Sequence, residues 1–123
     1  MTRYLCLIYL NEQEMSELPH VEMNDLNVRH LALNERLRGS GNLVEASALE
    51  SSASAVRFRV RGGKRTVVDG PFAETKELIA GFYLIEAKDM EEAIGIASQF
   101  PSVPHATIEV WPTRELIVDE VTG

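Results

Sequence analysis

Hydrophobic positions along the chain fall into three patterns, each predicting a different element. Tyr4 to Leu10 is almost wholly apolar and too short for a helix with a polar face, which predicts a strand covered on both sides. Phe82 to Ala87, broken only by Glu86, predicts another. From Met23, the positions Met23, Leu26, His30, Leu33 and Leu37 step by three and four, the one-sided stripe of an amphipathic helix. Glu22 and Asp25 near its start and Arg36 and Arg38 near its end suit the helix dipole, and Gly39 or Gly41 offers a left-handed close. The polar connection 11–21 before it contains Pro19, suited to a first helical turn. Strict alternation sets Val56, Phe58 and Val60 against Arg57, Arg59 and Arg61; Gly62-Gly63 is a two-residue hairpin turn, and Lys64 to Val68 is the return strand.

Weaker patterns complete the chain. Asn42 to Leu49 is a modest strand candidate, and Thr107 to Trp111 alternates as a last strand ended by Pro112. Asp89 with Glu91 and Glu92 resembles an N-terminal capping box, opening a helix that runs to about Gln99 and is stopped by Pro101. Gly95 inside it costs about 1 kcal/mol relative to alanine, which poses a choice between close packing and a tolerated imperfection. Ala73 to Ala80 reads as a polar loop or short helical turn, and Thr113 to Gly123 as an arm or extra edge strand. The resulting order is strand, helix, strand, hairpin, strand, helix, strand. It predicts an α+β, ferredoxin-like sandwich of the dimeric α+β barrel type, an antiparallel sheet with two helices on one face and an added hairpin. The two most apolar strands become central. With helices on one face only, the apolar residues of the other face predict a homodimer packed sheet against sheet.

Composition narrows the picture. A length of 123 residues suits one domain, and 45% hydrophobic residues suit a folded one. The lone Cys6 cannot form an internal disulfide, so a reducing, cytoplasmic setting is expected. The apolar start is interrupted at Asn11 and Glu12 and resembles neither a signal peptide nor a membrane span. A net charge of −7 disfavours nucleic acid and anionic membrane as partners. Five basic residues do gather in the hairpin (Arg57, Arg59, Arg61, Lys64 and Arg65), but Gly81-Phe82-Tyr83 lacks the paired stacking aromatics of RNA-binding sheets. His20, His30 and His105 lack metal-site spacing, and no metal or other cofactor is expected.

Two residues are candidates for chemistry. His30 shares the apolar stripe, so its imidazole faces the sheet and needs a partner that fixes its tautomer. The plainer account is a core-edge histidine bonded to a backbone carbonyl. Asp69 opens a Gly-Pro turn, where it can bond to local amides or form an acid/base pair with His30. Phe72, Phe82 and Tyr83 supply apolar pocket walls, while Glu74, Lys76 and Glu77 read as solvated loop charges or a substrate-contacting lid.

Asp69-Gly70-Pro71-Phe72-Ala73-Glu74-Thr75-Lys76-Glu77 with Gly81-Phe82-Tyr83 resembles the signature of DGPF-domain proteins of the YCII-related superfamily. Tyr4 to Tyr9, His30-Leu31, Gly41-Asn42-Leu43 and Ile108-Glu109-Val110 resemble it too. The likeness spans residues 1–112, with 113–123 as a C-terminal extension. It implies a ferredoxin-like dimer with a His/Asp pair, here His30 and Asp69, and substrate contacts at Gly70, Pro71, Phe72, Lys76, Phe82 and Tyr83. One branch of the superfamily includes a dehydrochlorinase of a chlorinated hydroxyquinol, so the implied activity is cofactor-independent proton transfer on a small cyclic or phenolic molecule. Other members are encoded near sigma factors, which implies the alternative of a non-catalytic ligand-binding or regulatory module. Trp111 departs from the pattern, since related chains often carry Arg before Pro there.

Overall fold

The computed structural model describes residues 1–70 and 76–119. Its elements are β1 (Thr2–Asn11), α1 (Glu12–Ser16), α2 (His20–Gly39), β2 (Leu43–Ala48), β3 (Val56–Arg61), β4 (Lys64–Asp69), β5 (Glu77–Ala87), α3 (Met90–Ala97) and β6 (Ala106–Pro112), with 3₁₀ turns at Ser52–Ser54 and Val103–His105. Four strands form an antiparallel sheet in the order β2-β5-β1-β6, so the two most apolar strands are central, as the topology requires. This is a ferredoxin-like α+β arrangement.

Alternation sorts the sheet into two faces. Tyr4, Cys6, Ile8, Tyr83, Ile85 and Ala87 point inward and form one core with Leu33 and Leu37 of α2 and Ala93, Ile96 and Ala97 of α3. Leu5, Leu7, Phe82 and Leu84 point to the opposite face and are half-buried, beside the exposed Trp111. Phe100, past the end of α3, is buried against Tyr83, the two rings stacked at 4.2 Å. Burial pushes the Cys6 thiol up to about 11, the mark of a small core hydrophobe.

Local chemistry explains the boundaries. Gly41 closes α2 at φ 82°, and Gly62 and Gly63 turn the hairpin at φ 56° and 76°, the two left-handed positions that such a turn demands. Asp89 caps α3 by accepting from the Glu92 N–H at 2.9 Å, while Glu92 reaches back to the Lys88 N–H at 3.3 Å.

Several expectations need correction. The polar connection before α2 contains a helix of its own, because the Asn11 carboxamide accepts from the Glu14 N–H at 3.0 Å and starts a turn. Pro19 precedes α2 as its cap residue instead of sitting within its first turn. Residues 77–80 extend β5, pairing with β1 as far as Asn11, so that part of the expected polar loop is strand. A side chain at Gly95 would meet open space, so glycine there is a tolerated imperfection. Residues 113–119 are exposed and add no strand.

The hairpin β3–β4 forms a separate two-stranded sheet in which every residue is exposed. Its alternation is as clean as that of the core strands, but among the described residues no other element covers its Val56, Phe58 and Val60 face. Among the described residues, no helix is long and apolar enough to cross a membrane.

Candidate functional site

A cavity of about 520 Å³ lies between α2 and one end of the sheet. The sequence leaves this space by placing small residues on the sheet side: Ala46, Ala48, Ala80 and Gly81 all line it. Gly81 marks a bulge, since Ile8 pairs with Gly81 but Tyr9 pairs with Ile79. A Cβ at Gly81 would stand 2.9 Å from the Ser47 carbonyl oxygen, so glycine lets β2 approach β5 closely here. Leu10, Met15, Met23 and Leu26 make the remaining walls largely apolar, and no charged side chain is among the described lining.

One polar chain crosses this wall. Tyr83 Oη donates to Asn34 Oδ1 at 2.6 Å, which leaves its oxygen to accept from His30 Nδ1 at 2.9 Å. The imidazole proton is therefore on Nδ1, and the Nε2 lone pair accepts from Ser102 Oγ at 2.6 Å. His30, Asn34, Tyr83 and Ser102 all line the cavity. Burial, with Arg29 adjacent, lowers the His30 pKa from its ordinary 6.5, so the neutral imidazole is favoured at neutral pH. Burial pushes the Tyr83 phenol up to about 12, so it stays a donor. Stacking on Phe100 holds the Tyr83 ring in place.

His30 is thus a half-buried histidine with two side-chain partners, and the backbone-carbonyl account does not apply. Tyr83 lies in the cavity as a hydroxyl that orients His30, in addition to forming an apolar wall. Asp69 ends β4, exposed and outside the described lining, its backbone paired with Val56 in the separate two-stranded sheet. Gly70 follows, its N–H donating to the Ala55 carbonyl at 2.7 Å. Lys76 is exposed, and Phe82 points to the open face of the sheet. Pro71 and Phe72 lie outside the described residues.

Sequence reasoning missed Asn34 and Ser102. Asn34 had a readable signal, since four residues after His30 it must share the histidine's helix face. Ser102 had none: it reaches His30 only because α3 stops before Pro101 and the chain turns back into β6. Among the described residues, no group of three or more His, Cys, Asp or Glu side chains gathers as a metal site.

The family profile of the YCII-related domain matches residues 2–117. An uncharacterized protein of Rhizobium meliloti (strain 1021) is 31% identical over 105 residues, covering 85% of this chain and 84% of that protein. Together with the fold, these matches place the chain in the YCII-related family.

Proposed function

We propose that the protein is a small cofactor-independent enzyme in which His30 moves a proton on a small cyclic or phenolic substrate. The observation that carries this reading is a tautomer-fixed imidazole in the wall of a largely apolar cavity with no charged side chain among its described lining. Burial supports it in two ways: it favours the neutral imidazole as a base, and it shelters the reacting groups from water. The cavity volume of about 520 Å³ suits a single-ring molecule.

Asp69 enters this proposal on its resemblance to the DGPF aspartate, as a second acid/base group, and Gly70, Pro71, Phe72 and Lys76 enter with it as substrate contacts. Phe82 belongs in this reading to a different surface. With Leu5, Leu7 and Leu84 it makes the sheet's open face apolar, which favours a homodimer through that face.

The experiment is exchange of solvent deuterium into small cyclic ketones and phenols, followed by proton NMR. A His30→Gln variant is expected to lower the rate about 100-fold or more, the usual share of a general base. Full activity in that variant would sink the assignment, and full activity in Asp69→Asn would remove Asp69 from the pair.

A further inference from the structure

We propose that Ser102 is a nucleophile activated by His30, and that the cavity accepts small, largely apolar acyl esters. This rests on the reading of His30 as a base and extends it to a covalent step.

The basic nitrogen of His30 faces Ser102 directly. Its Nε2 holds the Ser102 hydroxyl at 2.6 Å, so the proton it is placed to take is that of Ser102. The other nitrogen is held by Tyr83, which Asn34 holds in turn. A hydroxyl, a base and a group that orients the base is the arrangement that makes a serine nucleophilic. Ser102 is only 6% exposed yet lines the cavity, so its hydroxyl is screened from bulk water while facing the space a substrate would fill. Asn27 and Asn34 also line the cavity and carry amide N–H groups able to stabilise an oxyanion. With no charged side chain in the described lining, an uncharged aryl or alkyl ester fits better than a phosphate or a carboxylate.

The reaction balances with water as co-reactant. Ser102 Oγ bonds to the acyl carbon as its proton passes to His30 Nε2. The carbon–oxygen bond to the leaving alcohol or phenol then breaks, and that oxygen takes the proton from His30. Water, deprotonated by His30, attacks the acyl-serine and releases the carboxylic acid with the Ser102 hydroxyl restored.

The test is covalent labelling of the full native chain with diisopropyl fluorophosphate, an uncharged probe, read by intact mass and peptide mapping. One adduct is expected, on Ser102. It is absent in Ser102→Ala and forms about 100-fold more slowly in His30→Gln. Labelling at another residue, an unlabelled native chain, or an undiminished rate in His30→Gln overturns the proposal. Deuterium exchange separates the two readings. A native chain that exchanges in a His30-dependent way without labelling loses the nucleophile and keeps the base, whereas His30-independent exchange with His30-dependent labelling of Ser102 loses direct proton transfer on the substrate and keeps the nucleophile.

Discussion

In β5, Tyr83 and Ile85 alternate with Phe82 and Leu84 and are 4% and 0% exposed. In β3, Val56 and Phe58 alternate with arginines as cleanly and are 56% and 64% exposed. Alternation specifies that a segment is a strand with two unlike faces; it carries no information about what will cover the apolar one. For β5 the cover is α2 and α3, brought over by two crossovers. For the hairpin no described residue supplies such cover to the apolar face. The two regions should therefore answer to mutation in opposite ways.

The largest effect expected is at the point where core and site share a side chain. Phe100→Ala removes a ring that is 2% exposed and stacked on Tyr83, and should cost about 3–5 kcal/mol in urea unfolding. Phe58→Ala, the same change in the hairpin, should shift single-chain stability by about 0.5 kcal/mol or less. Equal losses at the two positions would mean that the hairpin is packed on the body in solution.

A smaller effect is expected at the bulge. Gly81→Ala would place a Cβ 2.9 Å from the Ser47 carbonyl oxygen, a backbone atom that moves only if β2 moves. The cost should be about 1–3 kcal/mol, the range of overpacked sites. In the hairpin turn, where a Cβ at Gly62 meets open space, the obstacle to alanine is instead the left-handed φ of 56°. Unfolding midpoints for Gly81→Ala and Gly62→Ala sharpen the contrast between crowding and conformation.

Tyr83→Phe keeps the stacked ring and deletes one hydroxyl, so it separates the site from the core. It leaves His30 Nδ1–H without its acceptor at a half-buried position and should cost about 1 kcal/mol. The diagnostic readout is the tautomer: nitrogen-15 shifts of the imidazole should show loss of the fixed Nδ1–H form. An unchanged tautomer would mean that Ser102 alone sets it.

The fold was readable because its determinants are local. The stripe from Met23 to Leu37, the paired glycines at 62 and 63 and the stop at Pro101 each act within a few residues. The site was readable only in part, for the same reason. His30 announced itself as a polar residue on an apolar stripe, and Asn34 follows from helix spacing. Ser102 is 72 residues from its partner, and Tyr83 is 53, so their meeting depends on how the sheet and helices dock. The short α1 was hidden because its signal is a single capping side chain, Asn11, in a stretch too polar to show a stripe.

Titration gives the smallest effect and extends the comparison, because the hairpin from Val56 to Asp69 contains no histidine while the body holds one against its cavity. His30 has a pKa below its ordinary 6.5 because burial, with Arg29 next to it, disfavours the imidazolium. In the unfolded chain that penalty is gone, so on acidification the unfolded state takes up its proton first. Between the folded pKa and about 6.5 the unfolded state therefore binds more protons, and stability rises with pH across that window. The stabilisation is fully present above about 6.5 and is lost as pH falls through the folded value. Urea midpoints at about pH 7.5 and pH 5.5 should show the native chain losing more stability than His30→Gln, in which the other titrating groups are retained. If the variant loses as much, Ser102 and Tyr83 hold the imidazolium as well as the imidazole, and the desolvated base loses its physical ground.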